Sequence, residues 1–282
     1  MKTVDTLVED IYAIVDEGFE PEFSAVTDFQ EAVAEALLKQ FKPSNRQSHN
    51  TLRMSNIGKA DCQLWHEING TEKEPLSPDT RLKFLFGDII EALLIYLIKE
   101  SGHTLTHEQA KVEVDGILGH MDCKIDDVPI DIKSASSGSF KRFKNGTLAE
   151  EGNDSFGYLA QISGYAHPDG HKEAGFLAMS KQSGELALMP VHEIDMIDVP
   201  KRIAQMKEEV AKPAPTRCFK PVAEGKSGNM KLGLNCSYCA FKKPCWSDSN
   251  DGDGLRLFIY SYGPCWFTSV ERVPAVHEVI DF

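Results

Sequence analysis

The sequence predicts an α/β fold in which a mixed central sheet is flanked by helices. Three observations carry that prediction. Between residues 107 and 133 the texture has period two, with Ile117, Gly119, Met121, Cys123 and Ile125 alternating with Leu118, His120, Asp122 and Lys124. Helical patterns bracket this stretch, over 79–100 and 155–167. Two further strands, 173–180 and 184–191, follow around Lys181-Gln182-Ser183. The order helix, three strands, helix, strand, strand suits a layered sheet with helices packed on it.

The elements follow in chain order. Residues 5–17 and 26–41 read as helices, the second from Phe29, Val33, Ala36, Leu37 and Phe41. The polar stretch from Lys42 to Asn50, with Pro43, reads as a linker. SNIGKADCQLWHEI predicts a short turn and then a helix bearing Cys62. The 79–100 helix is opened by Ser77-Pro78-Asp79 and closed before Gly102. Asp126-Asp127 is a turn into the strand Val128 to Lys133, on which Ile130 and Ile132 face the core. A last helix runs to about Lys212, where Pro213 and Pro215 end it. Beyond Thr216 the chain is rich in Cys, Gly, Lys and Pro, so ligands rather than a large core are expected to order it. The apolar run LRLFIYSY suits a strand with no assigned place. This gives three segments: acidic helices over 1–50, a core over 51–215, and a cysteine-rich segment with a tail over 216–282.

Bulk properties narrow the function classes. No run reaches the length of apolar sequence that a membrane span needs, and MKTVDTLVEDIY is acidic without an apolar signal region. Seven cysteines is an odd number, and CSYC has metal-type spacing, which predicts a metal site and a reducing, cytoplasmic setting. The net charge of −13 opposes a nucleic-acid partner, but its distribution does not. Residues 1–43 hold ten acids against Lys2, Lys39 and Lys42, whereas residues 212–246 hold seven bases against Glu224 alone. Lys133, Lys141, Arg142 and Lys144 add a second basic stretch. A chain acidic overall can still attract phosphate locally, although two solvated charged faces fit the same pattern.

Three constellations bear chemistry. Asp131 and Lys133 are two apart on one strand and share a face, and a hairpin would bring Asp122 beside Asp131. Two carboxylates at a sheet rim suit a hard divalent cation, although a bare D-x-K also fits a solvated face with a surface ion pair. Gln161 and Tyr165 are one helical turn apart. Cys236, Cys239 and Cys245 supply three thiolates within ten residues, which suits zinc or an iron–sulfur cluster. Cys62 leads for the fourth ligand, with Cys218, Cys265 or a histidine as rivals, and Cys123 is expected in the core.

GHMDCKIDDVPIDIKSAS resembles the second and third motifs of the PD-(D/E)XK nuclease superfamily. FLFGDIIEALL is similar to the upstream G-x-x-x-[HE] element of its lambda exonuclease and RecB-like branches, which implies Glu91 as a metal ligand, with Asp88 as competitor. Gly87, one turn below Glu91, would leave room for the metal. YLAQISGYAH resembles the Q-x-x-x-Y motif, implying that Gln161 and Tyr165 contact the DNA backbone. One cysteine upstream and three downstream, with SNIGKADCQLW as the opening segment, resembles the iron–sulfur nucleases such as the AddB subunit and the RecB-like CRISPR-associated exonucleases. That likeness implies a 4Fe-4S cluster on Cys62, Cys236, Cys239 and Cys245 that staples the C-terminal segment to a restriction-endonuclease-like core. The resemblance spans about residues 54–246. It departs from the pattern in His120-Met121-Asp122 and in Glu91, where a histidine is more usual.

The resemblance implies a metal-dependent DNA nuclease, most naturally an exonuclease in recombination, repair or phage DNA processing. Glu91, Asp122, Asp131 and the Ile132 carbonyl would hold Mg²⁺ or Mn²⁺. Lys133 would position the attacking water, and both Asp131 and Lys133 are expected to face solvent. His120 is expected on the Asp122 side, in a supporting role. No G-x-x-x-x-G-K-[ST] string occurs, so a helicase or recombination protein would be a separate chain. Oligomeric state is open. The alternatives are a non-catalytic DNA-binding or assembly subunit of the same fold, and a zinc-binding nucleic-acid-binding protein.

Overall fold

A computed structural model describes residues 2–42 and 50–280; the linker expected over 42–50 falls outside it from 43 to 49. The helices in chain order are α1 (Leu7–Glu17), α2 (Phe23–Phe41), α3 (Asp61–Ile68), α4 (Pro78–Glu100), α5 (Ser137–Lys144), α6 (Tyr158–Ala166), α7 (Val199–Val210) and the single turns α8 (Leu234–Ser237) and α9 (Lys242–Cys245). The strands are β1 (Leu105–Thr106), β2 (Ala110–Val114), β3 (Ile117–Met121), β4 (Cys123–Ile125), β5 (Val128–Ala135), β6 (Glu173–Ser180), β7 (Leu186–His192), β8 (Val222–Ala223), β9 (Met230–Lys231), β10 (Arg256–Tyr260), β11 (Gly263–Ser269) and β12 (His277–Val279). The chain divides into two compact units, the first holding the N-terminal helices, Leu52–Gly58 and Leu76–Gln205, the second Lys59–Pro75 and Met206–Phe282.

The first unit is built on a mixed sheet of order β1-β4-β5-β6-β7, in which only β5 and β6 run parallel. Helices lie against it, so the α/β class with a flanked mixed sheet is what the chain adopts. Ile130 and Ile132 of β5 join Cys123, Ile125, Leu177 and Leu186 in a core closed by Leu94 and Ile98 of α4 and by Leu7 and Ile11 of α1. The N-terminal helices thus belong to this unit; α2 lies along α4, with Lys39 paired to Asp88 at 3.3 Å and Lys99 paired to Asp28 at 3.1 Å. Buried His103 ties α1 to the β4–β5 turn, contacting Asp10 at 3.0 Å and Asp126 at 2.7 Å.

The strand expected over 117–125 is two strands. β3 pairs with β2, while β4 pairs with β5, and Asp122 sits at the break. Each half finds a different partner, so the alternation is continuous in sequence while the ladder is not. Lys124 of β4 is buried and paired with Asp169 at 2.7 Å.

α6 enters through a close backbone crossing. Gly157 has φ +74° as the residue before α6, and a Cβ on either Gly58 or Gly157 would stand 2.3 Å from the other's backbone. Only glycine fits at both places.

The second unit is better cored than its composition predicts. Its sheet has the order β12-β10-β11-β9-β8, and the LRLFIYSY run supplies the β10 strand. Leu232, Trp246 and Leu255 pack on one cluster, and Phe258, Cys265 and Phe267 form another. The tail therefore buries apolar surface of its own. Among the described residues no helix is long and apolar enough to cross a membrane.

Candidate active site and cysteine cavity

The hairpin through Asp126-Asp127, both with positive φ, brings Asp122 across from β5. Asp122 Oδ2 accepts a hydrogen bond from the Ile132 backbone N–H at 2.8 Å. Asp131 and Lys133 project from the other face of β5 than Ile130 and Ile132. The ammonium of Lys133 forms an ion pair with Asp131 Oδ2. Asp131 is buried rather than solvent-facing, with 1% of its surface exposed, and neither of its oxygens accepts a hydrogen bond of ordinary geometry. A carboxyl group shut away from water in this way calls for a partner close by, and the Lys133 ammonium is there.

Glu91 of α4 completes the group electrostatically. Burial raises its carboxyl above the ordinary range, and the negative charges of Asp131 and Asp88 add to the rise. Burial likewise holds Asp122 well above its ordinary value, with Asp131 and Glu91 pushing the same way. For Lys133, burial works downward, but Asp131 and Asp122 outweigh it and keep the ammonium charged. Three carboxylates thus share one ammonium, a donor set that suits a divalent cation with oxygen ligands. Asp88 points to Lys39 instead, and His120 is exposed on β3. Gly87 faces β5: a Cβ there would stand 3.5 Å from Ser134 Oγ.

Two residues beside this group carry no motif. Gln109, at φ +50°, donates its side-chain amide to Glu91 Oε1 at 2.9 Å and its backbone N–H to the Asp122 carbonyl at 3.0 Å. It bridges two of the carboxylate-bearing segments, and only its left-handed backbone hints at a special place. Tyr158 presents its ring 5.0 Å from Lys133 Nζ. On α6, Gln161 Nε2 donates to Tyr165 Oη at 3.0 Å, so the one-turn spacing does produce a contact. Tyr165 is buried, which raises its phenol, and Asp131 and Asp122 add to the rise. A cavity of about 470 Å³ between α2 and α4 opens on Glu91 and Asp122, with Phe29, Ala36 and Tyr96 among its walls.

In the second unit, Cys62, Cys236, Cys239 and Cys245 line one small cavity of about 20 Å³ together with Gln63, His66 and Trp246. All of the cysteines are free thiols. Burial pushes Cys236 up to about 11, with Cys239 and Cys245 adding to the rise. Thiols held together at this cost in acidity are a fit for a centre that takes thiolates. Cys218, exposed, sits at the rim and accepts a hydrogen bond from the Cys62 backbone N–H at 3.1 Å. Its thiol is lowered to about 7 by hydrogen bonding to Cys62. Cys265 packs with Phe258 and Phe267, and Cys123 lies in the core of the first unit. Among the described residues no group of three His, Cys, Asp or Glu side chains is already drawn together tightly enough to hold a metal ion.

No family model and no curated protein matches the chain. Among solved structures it is similar to SSO0001, at 16% identity and a TM-score of 0.42, over 75% of this chain and 93% of that one. It is also similar to an alkaline exonuclease, LHK-Exo, from Laribacter hongkongensis, at 16% identity and a TM-score of 0.38, over 64% of this chain and 89% of that one. LHK-Exo in complex with dAMP gives 16% identity and a TM-score of 0.34, over 66% of this chain and 87% of that one.

Proposed function

We propose that the chain is a metal-dependent DNA nuclease acting from strand ends in recombination, repair or phage DNA processing. The observation that carries this reading is Asp131: a buried carboxylate whose one charged partner is the Lys133 ammonium, with the carboxyl groups of Glu91 and Asp122 close enough to repel it. Glu91, Asp122, Asp131 and the Ile132 carbonyl would hold Mg²⁺ or Mn²⁺. When bound, the ion supplies polarisation of a phosphoryl oxygen and a more acidic water. The protein's own groups do the rest. The Ile132 N–H fixes the direction of Asp122, and Gln109 fixes that of Glu91. Lys133 keeps its proton and offers it toward the charge that develops on the phosphate. Gln161, held by the Tyr165 hydroxyl, contacts the DNA backbone.

Cys62, Cys236, Cys239 and Cys245 would hold a 4Fe-4S cluster that serves the fold and takes no part in hydrolysis. The free thiols support a reducing, cytoplasmic setting.

The test is cleavage of end-labelled linear DNA and of circular DNA with Mn²⁺, by the wild type and by Asp131→Asn. We expect the wild type to degrade linear DNA and spare circles, and the variant to lose at least about a hundredfold in rate. Loss of less than about tenfold in the variant would remove Asp131 from the chemistry. DNA binding without any cleavage by the wild type would favour a non-catalytic binding subunit.

A further inference from the structure

Phe156 lies in the loop between α5 and α6 with 64% of its surface exposed. The loop around it is tightly built. Asp154 accepts hydrogen bonds from the backbone N–H groups of Tyr158 at 2.8 Å and Leu159 at 2.9 Å. Arg142 donates to the Asn153 carbonyl at 2.9 Å, and Gly157 is locked against Gly58. The ring is therefore held at the surface rather than left there by a slack loop.

What holds it also aims it. The Phe156 ring stacks on Tyr158, with centroids 5.5 Å apart and planes 30° apart. Tyr158 is backed by Phe143 and Phe176 and stands over the Lys133 ammonium. A continuous path thus leads from an exposed aromatic face, through one ring, to the lysine that pairs with Asp131. Arg142 of α5, which reaches the Asn153 carbonyl in the same loop, supplies positive charge beside it. A planar ligand with an apolar face, joined to an anionic backbone, matches both features.

Resting on the nuclease reading of the Asp131 site, we propose that Phe156 is a base-stacking residue for an unpaired nucleotide next to the scissile phosphate. Bases inside a duplex are stacked on both sides and have no free face for the ring. The substrate class that follows is single-stranded or frayed DNA ends. Stacking on an aromatic ring tolerates any sequence, since every base has a π-face.

The test is anisotropy of a labelled single strand and of a blunt duplex in Ca²⁺ without Mn²⁺, so that binding is read apart from cleavage. Phe156→Ala should weaken single-strand binding about tenfold, and Phe156→Trp should restore it. Phe156→Leu keeps apolar bulk without the π-face and should bind as weakly as Phe156→Ala. One abasic nucleotide, scanned along the strand, should cost the wild type about the same factor at a single position and cost Phe156→Ala little more there. Single-strand binding by Phe156→Leu within about twofold of the wild type, or an equal loss on blunt duplex, would overturn the proposal. Phe156-dependent binding without cleavage would leave the stacking site standing and remove the nuclease reading. Cleavage with Phe156-independent binding would do the reverse.

Discussion

The backbone N–H of Ile132 donates to Asp122 Oδ2 at 2.8 Å, across the break between β3 and β4. The side chain of Asp122 does for β5 what a neighbouring strand's carbonyl would otherwise do. That gives the carboxylate two separable jobs, one structural and one electrostatic. Asp122→Asn keeps an acceptor for Ile132 while removing the charge. It should abolish cleavage and melt at or above the wild-type temperature, because a carboxylate repelled by Asp131 and Glu91 has been neutralised. Asp122→Ala should lose cleavage and also about 1–3 kcal/mol of stability, the cost of an unsatisfied buried donor. Thermal melts of the two variants decide this. Equal destabilisation of both would show that the hydrogen bond does not matter.

Glu91 and Asp88 are three apart on α4 and have different partners: Glu91 takes the amide of Gln109, Asp88 the ammonium of Lys39. Glu91→Gln should raise the Mn²⁺ concentration for half-maximal cleavage at least about tenfold, or abolish cleavage, without unfolding the helix. Asp88→Asn should leave that concentration within about twofold of the wild type. Gln109→Ala should fall between them, since it frees Glu91 without removing it. A metal titration that ranks Asp88→Asn worst would reverse the assignment.

The four cysteines around the small cavity give a prediction that needs no DNA. Anaerobically purified protein should carry about four irons and about four sulfides with broad absorbance near 400 nm. Cys236→Ala or Cys239→Ala should lose the absorbance and much of the solubility, whereas Cys265→Ala should keep both, because Cys265 packs with Phe258 and Phe267 instead. Stoichiometric zinc with no iron would replace the cluster by a zinc site. Retained absorbance in Cys62→Ala with its loss in Cys218→Ala would move the fourth ligand to the rim cysteine.

Glu67, on the same helix as Cys62, is buried between Lys59 at 2.8 Å and Lys73 at 2.9 Å. Burial works to raise its carboxyl, but the two ammonium groups prevail and hold it below the ordinary glutamate range. A folded-state value below the unfolded one means that this stabilisation is present above the unfolded glutamate value, about 4.3, and is lost as pH falls through the folded value. Glu67→Gln should therefore be less stable than the wild type at neutral pH, and the gap should close as the solution is acidified below about pH 4. Melting temperatures followed from neutral to acid pH measure it. A gap independent of pH would mean that Glu67 acts by packing alone.

Much of the first unit was legible because its signals are local. Ile130 and Ile132 alternate with Asp131 and Lys133, and that period alone put the first pair in the core and the second on one common face. Gln161 and Tyr165 meet because four residues are one helical turn. Spacing likewise marked Cys236, Cys239 and Cys245 as one group. Each of these needs only the repeat of a strand or helix, which any short window of sequence contains.

By itself, then, the sequence determined the α/β class, the shared face of Asp131 and Lys133, and the grouping of Cys236, Cys239 and Cys245. Only the tertiary structure decided that the 117–125 run breaks at Asp122, because β3 folds back on the preceding β2 while β4 pairs with the following β5. It also decided that Asp131 is buried, that Gln109 reaches Glu91, and that Gly58 must meet Gly157. These are contacts between residues 18 to 99 positions apart, or the burial that such contacts produce. Alternation tells which side of a strand a residue takes, but what covers that side is set by segments arriving from far along the chain.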